Sequence, residues 1–237
     1  MKIAMILAAG RGERLRPFTD TCPKPLCIVN GKPAIEHHIL KLVAAGFQRI
    51  IINHAHLGGL IRQYLGDGGR YGVEIIYTPE PPGGLETGGG LYNALPYLGD
   101  DYFLAVNADI MTDFAFESLM PIPNQLATLV LIPNPIFNPK GDFGLSASGL
   151  IQNDNRAYTY SGISAYHPSL FDSLQPGRYS IVPHIRELAT KGKISGILFE
   201  GQWQDIGTPS LTTATIPTTT TTTIPILFTA PHTHTHG

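Results

Sequence analysis

A chain of 237 residues can bury a core without disulfides or metals as staples, and at roughly 150 residues per domain it allows one large domain or little more. Its 16 Lys and Arg against 18 Asp and Glu leave a formal charge of −2, which offers no basic field to nucleic acid or to an anionic membrane. A hydrophobic content of 43% excludes a disordered chain. Charged residues at 14% fall below the roughly 25% of an average domain for a local reason: nothing after Asp205 is Asp, Glu, Lys or Arg.

Residues 3–8 form an unbroken apolar run, the mark of a strand covered on both faces. The run meets Arg11, Glu13, Arg14 and Arg16 at once, where a secretory leader would need a cleavage site first. No stretch approaches the ~20 apolar residues of a membrane span. The only cysteines, Cys22 and Cys27, make neither a disulfide framework nor a zinc pattern, so a reduced, cytosolic setting is expected. Ile35, Ile39 and Val43 fall at helical spacing over 34–45, and Gly46 stands in the usual C′ position. Strands are expected over 49–53, 73–77 and 102–106, alternating with helices over 57–65 and 91–97. That alternation predicts a mostly parallel sheet with helices on both faces. Strands over 127–132, 158–166 and 195–200 with one helix over 181–190 predict mixed or antiparallel additions to it.

Four clusters could carry chemistry. After the first strand, Gly10 and Gly12 let backbone amides approach a ligand, and Arg11, Arg14 and Arg16 add cations, which together suit a polyphosphate. A structural turn explains two glycines equally well, since this is neither a Walker A sequence nor GxGxxG. Lys24 between Pro23 and Pro25 should be held extended, either presenting its ammonium stiffly or lying idle on the surface. Three glycines, 88–90, at a helix entrance could expose amides to a base or ribose, or form a flexible loop. Asp109 ends a buried strand, where open α/β sheets bind ligands, and Asp205 offers a second carboxylate of the kind Mg²⁺ accepts. His54 and His56 lack a third nearby ligand for zinc, which leaves them as loop or rim residues.

The order LAAGRGERLRP, PKPL, LETGGG, a strand ending NAD, and WQDIGTP resembles the sugar-1-phosphate nucleotidyltransferases over residues 1–210. INHAHLG (52–58), LETGGG, KGDFGL (140–145) and YSGIS (160–164) resemble the branch that moves a uridylyl group from UTP to N-acetylmuramate 1-phosphate in peptidoglycan recycling. The resemblance implies an α/β fold: a Rossmann-like doubly wound mixed sheet, the GT-A-like core, with a small sugar-binding extension. It implies that Gly10, Arg11 and Gly12 cradle the triphosphate with Arg14 and Lys24 acting on the reacting phosphates. Glu86, Gly88 and Asn107 would contact the nucleotide, Asp142 and Gly162 the sugar, and Asp109 and Asp205 would hold Mg²⁺. The expected partners are a nucleoside triphosphate and a sugar 1-phosphate. Rival expectations are guanylyl or thymidylyl transfer to mannose or glucose 1-phosphate, and a catalytically silent sugar-nucleotide sensor. Relatives usually carry a charged C-terminal helix where this chain has a threonine-rich stretch, so 211–237 is expected to be a disordered tail.

Overall fold

The computed structural model describes residues 1–206 and, beyond them, only the backbone of Ala214–Thr215 paired antiparallel with Pro225–Ile226. Expectations for the rest of 207–237, the tail among them, lie outside the described residues.

Seven strands make one sheet. β1 (Ile3–Leu7) is central, flanked in parallel by β2 (Arg49–His54) and by β4 (Phe103–Asn107), and β3 (Glu74–Pro79) pairs in parallel beyond β2. A short β5 (Ile110–Thr112) leaves this sheet. Past β4 comes β7 (Tyr158–Tyr166), antiparallel both to β4 and to β6 (Ala127–Pro133), and β8 (Ile194–Leu198) closes the edge parallel to β6. The mixed second half follows from β7 alone, which runs against both of its neighbours.

Because successive strand residues face opposite ways, β1 feeds two cores. Ala4 and Ile6 pack with Ile35, Ile39 and Leu42 of α1 (Ala34–Ala44) and with Ile61 and Leu65 of α2 (Gly58–Leu65). Ile3 and Met5 pack with Leu91, Ala94 and Leu98 of α3 (Glu86–Leu98) and with Ile185 of α4 (Val182–Thr190). The sheet is therefore doubly wound, as its strand–helix alternation requires. Among the described residues no helix is long and apolar enough to cross a membrane.

Two elements differ from the sequence expectation in ways that concern the site. α3 begins at Glu86 rather than near Leu91, so the three glycines lie inside the helix. The helix begins early because the Gly88 and Gly89 amides both donate to the Tyr179 carbonyl, at 2.9 and 3.2 Å, which replaces the partners a first turn lacks. The second is β5, too short to read from sequence, which pairs antiparallel with β9 (Trp203–Asp205).

α1 anchors the chain just beyond β5. Lys41 Nζ donates to the carbonyls of Thr112 and Phe114 at 2.9 and 2.7 Å, and it lies over the Phe116 ring. His38, 2% exposed, sits one turn away against Phe116. Burial, and then the Lys41 ammonium, push the His38 imidazole down to about 4. The folded state thus resists a proton that the unfolded chain accepts near 6.5, so stability is full above that pH and falls as pH drops toward 4. We expect roughly 2 kcal/mol of stability to be lost between pH 7 and pH 5 through this residue. Urea midpoints for wild type and His38→Leu at both pH values check it, and the variant should show the smaller acid loss.

Candidate active site

The carboxyl-terminal ends of β1 and β4 lie side by side, and the chain departs from them in different directions. Ligands of open α/β sheets collect at that point. A cleft of about 430 Å³ opens there, lined by residues 7–14, Lys24, Asn53, Glu86, Thr87, Asn107 and Asp109 among others.

The loop after β1 is braced from outside. Gly12 has φ +72°, and a Cβ there would meet Thr19 Cγ2 at 2.8 Å. Thr19 Oγ1 donates to the Gly12 carbonyl at 2.7 Å, and the His56 ring contacts the Thr19 carbonyl at 2.5 Å. The Arg11 guanidinium donates to that same carbonyl at 3.1 Å and to Asp20. Arg11 thus closes the 12–20 loop with its side chain while lining the cleft. Gly10 is different: a Cβ there would meet nothing within 4 Å, so its open side is the cleft.

Lys24 lines the cleft, but its backbone departs from the sequence expectation. It opens a tight 3-10 turn, Lys24–Leu26, rather than an extended segment. The Leu26 amide donates to the Pro23 carbonyl at 2.9 Å and the Cys27 amide to the Lys24 carbonyl at 3.0 Å; these two bonds override the preference imposed by Pro25. Nor is it a surface lysine, being 8% exposed with Nζ 3.0 Å from Asp109 Oδ2. Arg14 pairs in the same way with Asp205, at 3.5 Å. Asp205 faces Ile110 in the β5–β9 pairing, and the Ile206 amide donates to the Asp109 carbonyl at 2.8 Å. The two carboxylates thus stand on paired segments, and their hard oxygens fit a divalent cation. Each has a cation beside it, Lys24 for Asp109 and Arg14 for Asp205.

Gly88 has another task than the one expected of it. A Cβ on it would meet the Tyr179 ring at 2.4 Å, so the residue is covered by Tyr179 and lies outside the cleft lining. Glu86 and Thr87 line the cleft instead. Glu86 takes a left-handed φ of +57°, and Thr87 Oγ1 accepts the Ile181 amide at 2.9 Å.

A second hollow, also about 430 Å³, shares Arg14, Asn107 and Asp109 with the first and extends to Phe137, Asp142, Gly162, Trp203 and Asp205. Here β7 is irregular: its register with β6 shifts between Tyr160 and Ile163, and Gly162 takes φ +85° where a Cβ would press on Asn107 Nδ2 at 2.8 Å. Asp142 lines the hollow, but its oxygens hold the wall, accepting the Tyr160 amide at 2.8 Å and Asn138 Nδ2 at 3.1 Å.

Sequence reasoning missed the tie between the two loops of the first cleft. Buried Asn53 accepts the Ala8 amide through Oδ1 at 2.7 Å and donates from Nδ2 to Glu80 at 2.9 Å. Glu80 in turn accepts the Leu85 amide at 2.8 Å, and burial pushes its carboxyl above the usual range. A polar residue ending the apolar run 50–52 was the available signal.

With this geometry the chain belongs to the nucleotidyl transferase family, whose pattern matches residues 3–149. It is 47% identical over 214 residues to the N-acetylmuramate alpha-1-phosphate uridylyltransferase of Neisseria meningitidis, covering 86% of this chain and 93% of that protein. The enzyme of the same name from Caulobacter vibrioides is 31% identical, with 88% and 93% covered. The solved inositol-1-phosphate CTP transferase of T. maritima shares the fold, with a TM-score of 0.74 at 18% identity over 88% of this chain and 90% of that one.

Two glycines of the site should separate by stability. A Cβ on Gly89 would meet the Gly177 carbonyl oxygen at 1.9 Å, a backbone atom that cannot swing aside. Gly89→Ala should cost about 1–3 kcal/mol, or roughly 3–10 °C in thermal midpoint for a domain of this size. Gly10→Ala should leave the midpoint unchanged or slightly raised. Thermal unfolding of the two variants checks the contrast.

Proposed function

We propose that the chain transfers a uridylyl group from UTP to N-acetylmuramate α-1-phosphate, releasing pyrophosphate, in a cytosolic setting. The observation that supports the reaction type is the junction of the two hollows at Arg14, Asn107 and Asp109, where a triphosphate from one side and a sugar phosphate from the other would meet. The base and the sugar come from the relatives' names. Residues 1–210 form the catalytic unit in this reading, and 211–237 take no part in the chemistry.

A sugar phosphate oxygen attacks the α-phosphorus of UTP; a new P–O bond forms and the α–β anhydride bond breaks. The attacking oxygen is already an anion, so no general base is required. The protein's work is to bring two polyanions together and to neutralise charge as pyrophosphate leaves. The loop at Gly10–Gly12 offers main chain to the triphosphate. Lys24, released from Asp109, and Arg14, released from Asp205, turn their charge to the phosphates, while Glu86, Thr87 and Asn107 border the nucleoside. Asp109 and Asp205 would hold Mg²⁺, which supplies bridging and polarisation of phosphate oxygens. The sensor alternative does not use this set, because recognition alone needs no paired carboxylates facing two cations.

A pyrophosphate-release screen of four nucleoside triphosphates against a panel of sugar 1-phosphates tests the assignment. UTP with N-acetylmuramate 1-phosphate should give the highest kcat/KM; a guanylyl or thymidylyl preference would replace this reading. Exhaustive chelation should abolish turnover and added Mg²⁺ should restore it, whereas full activity after chelation removes the metal from the scheme.

Lys24→Met keeps the buried stem and deletes the ammonium. It should lower turnover 10²-fold or more, because a charge-stabilising group in an enclosed site is typically worth about 3–4 kcal/mol. Circular dichroism should show the variant folded. Near-normal turnover would take Lys24 out of the reaction.

A further inference from the structure

The segment joining β6 to β7 at the mouth of the second hollow is firmly held. Thr159 Oγ1 donates to Asn134 Oδ1 at 2.8 Å, and Asn138 Nδ2 donates to Asp142 and to Thr159 Oγ1, both at 3.1 Å. The Asn138 amide closes a turn onto the Pro135 carbonyl at 3.0 Å, and the Gly141 amide another onto Asn138 at 3.2 Å. The tip that this scaffold displays is apolar: Ile136 is 100% exposed and Phe137 48%. Exposure of two apolar side chains is by itself ordinary; what distinguishes Phe137 is where it lies.

Only Phe137 of the pair lines the hollow. Its ring stacks near Trp203, with centroids 6.2 Å apart and planes at 28°. The indole is fixed by Nε1–H donating to the Ser161 carbonyl at 2.8 Å. The two rings make one apolar wall in a hollow whose other faces carry Asp109, Asp142 and Asp205. A reacting phosphate must sit where the hollows join, at Arg14 and Asp109. A sugar reaching from there into the second hollow would bring ring positions beyond the anomeric carbon toward the half-exposed Phe137, which lines it.

We propose that Phe137 determines sugar specificity: it packs against an apolar ring substituent distant from the anomeric carbon, which in the substrate proposed above is the methyl of the lactyl ether. The inference rests on that substrate reading and adds the residue that enforces it. A sugar lacking the ether presents a hydroxyl there and leaves the ring's edge uncovered; the lactyl group also carries a carboxylate, so the methyl on Phe137 supplies the apolar part of the discrimination.

The test is kcat/KM for N-acetylmuramate 1-phosphate and for N-acetylglucosamine 1-phosphate, which lacks only the lactyl group, in wild type, Phe137→Ala and Phe137→Leu. Phe137→Ala should lower the first about tenfold and change the second by less than twofold, with KM for UTP and the thermal midpoint unchanged. Phe137→Leu should recover most of the loss. Equal falls for both sugars would make Phe137 a structural residue, and no fall would leave the tip without a role in selection; either overturns the proposal. A wild-type enzyme that does not prefer N-acetylmuramate 1-phosphate overturns the substrate reading and this inference with it, and that failure is visible before any substitution is made.

Discussion

The ion pair between Lys24 and Asp109 is the point to which the rest of the site refers. A buried ammonium beside a carboxylate is stable only where both stay satisfied, and the fold supplies this by bringing together a tight turn after Pro23 and the end of β4. From Asp109 the chain passes into β5, whose far end α1 holds through Lys41, and β9 adds Asp205 alongside. The two carboxylates and two cations therefore come from four separate stretches of chain, and the doubly wound sheet is what gathers them.

This balance has a chemical meaning in the proposed reaction. Cations that neutralise a triphosphate would repel one another in its absence; resting on Asp109 and Asp205, they do not. In that reading an incoming polyanion would draw Lys24 and Arg14 away and leave Asp109 and Asp205 as the residues that would hold a divalent cation. The exchange keeps charge compensated at each stage, and it needs side-chain movement only, because the loop carrying Gly10 and Gly12 is already braced by Thr19, Arg11 and His56.

Much of this architecture is legible in the sequence, for identifiable reasons. Buried parallel strands betray themselves as apolar runs, and α1 by its spacing and closing glycine. The side chains that the resemblance marked, from Arg14 to Asp205, do converge on the two hollows. Where the reading went astray, the cause was a contact from far along the chain. Gly88 looked like a ligand-facing amide because nothing local shows that Tyr179 covers it. Lys24 looked exposed because a Pro-Lys-Pro run is ordinarily a surface turn, and its partner lies 85 residues away. Asn53, Glu80 and Phe137 gave no motif of their own; each acquires a role only once the sheet sets its neighbours.

The packing of Tyr179 and Gly177 on the first turn of α3 reaches beyond stability. That turn has two sides, with Glu86 and Thr87 lining the first cleft while Leu85 and Gly89 border a separate cavity of about 700 Å³. Its pitch is set by the Tyr179 carbonyl and by the Ile181 amide on Thr87, so residues outside the cleft lining fix how two cleft residues are aimed. Under the function proposed above, substitutions in the 175–181 segment would re-aim Glu86 and Thr87 without altering any residue that lines the cleft.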